Sequence, residues 1–200
     1  MSVASMTEVV GYLGSALIAA GFLAASLGHA ESRPNWFLAI NLFGAIALCL
    51  PAYQSGTTAA MAINGFWILV AISGLAAGRR QGVPLPMSNM VLYVYGASSI
   101  GLLLADWMLR RDGSLSALGG VVAMGLFMAG YFVLSRDLHS KRALDIYLWT
   151  ALAGNLLYIP LLVSDDNRPI LALQILCTAI AVARLAHLRT QHHRKQLASA

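Results

Sequence analysis

Residues Thr57–Ala77 read TTAAMAINGFWILVAISGLAA. The run contains no charged residue, and one amide, Asn64, stands inside it. A helix needs roughly 20 predominantly apolar residues to cross about 30 Å of hydrocarbon, and this stretch has that length. Six more runs of the same kind flank it: Val9–Leu27, Trp36–Tyr53, Met87–Met108, Leu115–Leu134, Leu144–Val163 and Pro169–Leu188. Short polar stretches such as GRRQGVPLP, RRDG and SDDNR separate the runs, and only QSG separates the second from the third. The expectation is an all-α integral membrane protein of seven transmembrane helices.

Composition points the same way. The chain has 200 residues, 58% hydrophobic and 10% charged, with a mean hydropathy of +0.71. Soluble domains carry about 25% charged residues, so lipid must cover most of this surface. The net charge of +5 comes largely from loops and from the tail RTQHHRKQ. Basic flanks facing anionic lipid account for it, and no nucleic-acid partner is expected. The N-terminus MSVASMTEVV lacks the basic residues of a secretory signal, so the first helix is expected to be retained. Cys49 and Cys177 lie within apolar runs and read as small packing residues. No metal or cofactor is expected, the His192–His193 pair included. No HExxH, Gly-x-Ser-x-Gly or phosphate-loop pattern occurs, so no enzyme chemistry is expected.

Lys and Arg divide unevenly between the two sides of such a bundle. The loops after helices one, three and five, with the C-terminus, hold ten: Arg33, Arg79, Arg80, Arg136, Lys141, Arg142, Arg184, Arg189, Arg194 and Lys195. The other side holds Arg110, Arg111 and Arg168. Positive charge is retained in the cytoplasm, which predicts an outer N-terminus and a cytoplasmic C-terminus in a bacterial-type plasma membrane.

A shift of 109 residues lays helices one to three over helices five to seven. LIAAGFLAAS falls on LFMAGYFVLS, pairing Gly21 with Gly130. LCLPAYQS falls on LYIPLLVS, pairing Pro51 with Pro160 and Ser55 with Ser164. Three helices reverse direction and one linker helix reverses it again, so the two triplets are expected to be parallel repeats about a pseudo-twofold along the membrane normal. The expected units are residues 1–80 (repeat one), 81–112 (linker helix), 113–190 (repeat two) and 191–200 (basic cytoplasmic tail).

This 3+1+3 layout resembles that of the SWEET and PQ-loop transporters and of the nicotinamide riboside transporters. The motif INGFW resembles the Asn-Gly of the third SWEET helix, a resemblance that implies a sugar-pocket role for Asn64. The second triplet, from LSRDLHSKRALDIYLW to ARLAHLR, is similar in rhythm to the last three helices of riboside transporters. No Pro-Gln dipeptide occurs, helices one and five lack proline, and residue 173, the partner of Asn64 under the shift, is Leu. The first triplet also resembles small bacterial three-helix membrane domains of unknown function, through INLFGAIAL followed by INGFW.

Polar side chains at membrane depth face a bundle interior or a cavity. Asn41, Asn64, Asn155 and Gln174 are the candidates, with Trp67 one turn from Asn64 and Trp149 and Tyr158 adding aromatic surface. Two readings stay open. The amides and rings form a binding site for a small neutral polar solute (a sugar, nucleoside or vitamin) carried by facilitated diffusion. Alternatively the amides bond helix to helix, and the chain is a non-transporting membrane scaffold or subunit. The expected partners are the lipid bilayer and the solute, and a homo-oligomer is compatible with either reading.

Overall fold

The computed structural model describes residues 3–27, 34–76, 86–109, 114–136 and 141–198. These residues form seven helices: α1 (Val3–Ser26), α2 (Pro34–Gln54), α3 (Thr58–Ala76), α4 (Pro86–Leu109), α5 (Leu115–Arg136), α6 (Lys141–Ser164) and α7 (Arg168–Ala198). Among the described residues there is no strand. Six helices are long and apolar enough to cross a membrane; the apolar part of α4, Met90–Ala105, is shorter. The last helix runs on through the basic tail to Ala198, whose Lys, Arg and Gln residues are good helix formers. The loop residues Arg33, Arg79, Arg80, Arg110 and Arg111 lie outside the described residues. So do the side chains of Asp106, Arg136, Lys141, His192, His193, Arg194 and Lys195.

Polarity is inverted relative to a soluble domain. Large apolar side chains such as Leu13, Phe43, Leu102 and Val163 point outward, whereas Asn41, Asn64, Asn155, Asn167 and Gln174 are buried. An apolar exterior of this extent requires a hydrocarbon solvent, and the chain is a membrane protein.

The helices close into a ring. Each packs on its neighbours in sequence from α1 to α3 and from α5 to α7, α7 returns to α1, and α4 bridges α3 to α5. The bridge is held at both ends. The Tyr95 hydroxyl on α4 donates to the Ala62 carbonyl of α3 at 3.1 Å, lying where a side chain on Gly65 would stand. Trp107 Nε1 near the end of α4 donates to the Ser114 carbonyl before α5 at 3.1 Å.

The triplets repeat each other, with a register that corrects the uniform shift of 109. Along α1 and α5 the shift of 109 holds: Gly11 corresponds to Gly120 and Gly21 to Gly130 in burial. Across α2–α3 and α6–α7 the shift is 110. Residues 51–64 and 161–174 have identical burial patterns and identical helix–turn–helix boundaries. Both turns carry the same hydrogen bonds. Thr57 N–H donates to the Ala52 carbonyl and Asn167 N–H to the Leu162 carbonyl, each at 3.0 Å. Gly56 N–H donates to Tyr53 and Asp166 N–H to Val163. These are Schellman C-caps, which place one residue in the left-handed region. Gly56 (φ 67°) and Asp166 (φ 48°) take that place. Pro51 and Pro160 are therefore not equivalent: Pro51 is buried and Pro160 exposed. Ser55 corresponds to Asp165, not to Ser164. The second triplet holds one more residue than the first between the matched positions of its first and second helices, although the loop joining them is shorter, and a rigid shift cannot follow that change.

The two halves also exchange matching contacts. A side chain on Gly11 would strike Pro51 of α2 and Pro169 of α7. One on Gly120 would strike Leu161 of α6 and Ala59 of α3. Under the shift of 110 these neighbours are the same pairs with the triplets interchanged.

Candidate functional site

Between the triplets lies a partly open cavity with about 70 Å³ of space accessible to water, enough for roughly five water molecules. It is lined by Ile18 and Phe22 of α1, Phe37 and Asn41 of α2, Ala60, Ile63, Asn64 and Trp67 of α3, and Phe127 of α5. The other wall is Tyr147, Thr150, Ala151, Asn155 and Tyr158 of α6 with Ile170, Leu173, Gln174 and Cys177 of α7. At 1.5 Å per residue the lining runs from roughly 6 Å below the two hairpins, at Ala60 and Ile170, to roughly 28 Å, at Phe37 and Tyr147.

Helical spacing explains who reaches it. On α3, Ala60, Ile63, Asn64 and Trp67 form one face, and on α7, Ile170, Leu173, Gln174 and Cys177 are their equivalents at a shift of 110. Asn64 therefore faces Gln174 as its structural counterpart, rather than Leu173. The α2 and α6 walls differ. Where α6 presents Asn155 and Tyr158, α2 has Ala45 and Leu48; where α2 presents Asn41, α6 has Ala151. The cavity is symmetric in shape and asymmetric in polarity.

The amides are in different states. Asn41 is committed: its Nδ2 donates to the Phe37 carbonyl on its own helix at 2.8 Å, and its amide packs against Gly21. Asn64 and Gln174, both buried, make no side-chain hydrogen bond among the described residues. Asn155 Nδ2 and the Tyr158 hydroxyl are buried without a partner. These two residues are 2% and 1% exposed, so bulk solvent does not satisfy them. A buried unmet donor costs about 1–3 kcal/mol. One turn apart on α6, the two residues share one face of the helix, and both line the cavity.

Trp67 is fixed edge-on by Phe66 (ring centroids 5.7 Å apart) and Tyr131 (5.8 Å). Its ring is held as a wall. Among the described residues no Asp, Glu, Lys, Arg or His lines the cavity, so a charged ligand would lie there uncompensated, which low dielectric penalises heavily. Among the described residues no group of His, Cys, Asp and Glu could hold a metal ion.

Six of the expected residues thus meet in one space: Asn41, Asn64, Trp67, Asn155, Tyr158 and Gln174. Trp149 does not join them. It is 46% exposed, and the Arg189 guanidinium lies over its ring at 5.3 Å. Six residues separate it from Asn155, and at 100° per residue that turns it well away from the cavity. Sequence reasoning missed Phe22, Phe37, Phe127, Tyr147 and Thr150. The helical period counted back from Asn155 through Ala151 would have reached Tyr147. The phenylalanines carry no signal that separates a cavity wall from a lipid-facing surface.

A sequence model of a family of unknown function matches residues 7–82, a segment holding most of α1 and all of α2 and α3. No curated protein and no solved structure matches the chain.

Proposed function

We propose that the protein is a membrane permease for a small neutral polar solute, working by facilitated diffusion through the space between the triplets. The observation that carries this reading is a cavity walled by amides and aromatic rings, in which Asn64 of one triplet and Gln174 of the other make no side-chain hydrogen bond among the described residues. Interhelical glue would be bonded to a neighbouring helix; these groups are not. Bound solute bonds the amides of Asn64 and Gln174, Trp67 covers an apolar face of it, and the lack of charge among the described lining residues disfavours ions. Rocking of the triplets about their shared axis exposes the site alternately to the two sides. The Lys and Arg distribution orients the 2–3 and 6–7 hairpins outward and the C-terminus inward, in a bacterial-type plasma membrane. The protein acts without cofactor and without chemistry on the solute.

The test is uptake of labelled sugars, nucleosides and vitamins into proteoliposomes. At least one is expected to enter in a saturable manner, and Asn64→Ala and Asn155→Ala proteins of normal abundance are expected to lose that uptake. Normal uptake in both variants removes the assigned site. Uptake of nothing in the panel leaves the scaffold as the better reading.

A further inference from the structure

The two ends of the cavity are bounded by different kinds of contact. At the hairpin end a chain of part-buried hydrogen bonds crosses from one triplet to the other. Asn167 Nδ2 donates to Ser55 Oγ at 2.9 Å, and Ser55 Oγ shares a proton with Thr57 Oγ1 at 2.7 Å. Asn167 and Thr57 are 2% and 1% exposed. Beside this chain, Ser15 Oγ of α1 donates to the Pro169 carbonyl of α7 at 2.6 Å. Asn167 Oδ1 is meanwhile occupied in capping α7, accepting from Ile170 N–H. At the opposite end the lining is aromatic: Phe22, Phe37 and Tyr147, with Phe22 and Tyr147 in tilted contact at 5.8 Å. No side-chain hydrogen bond joins these three rings among the described residues. Rings part by rotamer change, whereas the hairpin end opens only by breaking directional bonds between the triplets.

We infer that the Asn167–Ser55–Thr57 bridge is a latch that holds the hairpin-side mouth of the cavity shut, so that this state opens first at the aromatic end. The inference rests on the permease reading for its purpose, and its geometry stands without it. The latch lies on the pseudo-twofold and is itself asymmetric. Ser55 Oγ can accept from the amide across the axis, but Asp165, its equivalent, makes no reciprocal bond to Thr57. One bridge therefore governs both hairpins.

A native thiol reports the state of that mouth. Cys177 lines the cavity, and Cys49, the other thiol, is removed as Cys49→Ala. A membrane-impermeant methanethiosulfonate is applied separately to each face of vesicles holding the full-length protein in one orientation. In the Cys49→Ala parent, Cys177 is expected to react slowly from the hairpin side. Ser55→Ala should speed that reaction roughly fivefold, the population shift of losing one hydrogen bond worth about 1 kcal/mol. The opposite side should react no faster. Asn167→Ser gives a second route, since Ser retains an N-cap for α7 but is too short to reach Ser55. Gln54→Ala removes an outlying bond to Thr7 at the same end and should leave the rate unchanged. Unchanged hairpin-side rates in both Ser55→Ala and Asn167→Ser overturn the latch. Because the readout needs no solute, accelerated labelling without any flux condemns the permease reading alone, and flux with unmoved labelling condemns the latch alone.

Discussion

At the residue scale, the polar side chains lining the cavity differ in whether their hydrogen bonding is complete: Asn41 and Thr150 are bonded, whereas Asn155 and Tyr158 each carry an unpartnered buried atom. Asn155 is the sharpest case, because its Nδ2 is buried and unmet. Replacing a structural amide with an apolar side chain removes a bond; replacing an unmet one removes a penalty. Asn155→Leu is therefore expected to hold or raise stability in detergent, by up to about 1 kcal/mol. The same change should lower solute uptake at least about tenfold, which is roughly 1.4 kcal/mol of binding free energy. A lowered melting temperature would mark Asn155 as glue between helices. Asn41 behaves oppositely. Its Nδ2 already bonds the Phe37 carbonyl, so Asn41→Leu touches uptake less. These roles were partly legible in the sequence: a lone amide in an apolar run must face inward, because hydrocarbon offers it nothing. Whether it finds a partner there depends on the opposing helix, which no local pattern encodes. Trp149 shows the same limit. Its amphipathic ring suits a pocket or a membrane interface equally, and only the angle from Asn155 decides between them.

At the element scale, the two hairpins are one design written with different residues. Gly56 and Asp166 hold equivalent left-handed positions, and the left-handed region costs ordinary L-residues roughly 1–2 kcal/mol. Gly56→Ala should therefore lower stability by about 1 kcal/mol. Gly56→Asn should cost less, because a short polar side chain tolerates that conformation, as Asp166 does. Thermal unfolding of the purified variants gives the order, and an Ala variant as stable as the Asn variant would contradict it. Helix existence was plain from the apolar runs, and most helix ends fell close to the expected ones, but α1 begins at Val3 rather than Val9 and α7 runs to Ala198 rather than Leu188. The register of the repeat was not. Pro51 over Pro160 and Ser55 over Ser164 are attractive identities, yet the capping hydrogen bonds pair Ser55 with Asp165. Capping depends on backbone conformation, which Gly and Asp can both satisfy, so equivalent positions need not share a letter.

At the scale of the whole molecule, orientation follows from charge rather than from packing. A fluorescent reporter fused after Ala200 should light up in the cytoplasm, and an alkaline phosphatase fused at the same point should be inactive. The reverse result would place the hairpins and their latch on the cytoplasmic side and leave the cavity as described. The all-helical membrane class was readable from composition, and the pairing of the two triplets came from the weak repeat. The cavity needed coordinates, because it depends on faces of six helices meeting at once.

Leu48 and Tyr158 occupy equivalent places, as do Ala45 and Asn155, and Asn41 and Ala151. Two separate copies of a single triplet would have to repeat every side chain on both walls, and their pocket would look the same from either direction around its axis. Joining the halves through α4 lifts that obligation. Each wall can then hold its own inventory, with Asn155 and Tyr158 lining the cavity from α6 and Asn41 lining it from α2. A guest with a distinct head and tail accordingly has one preferred way to lie in this cavity.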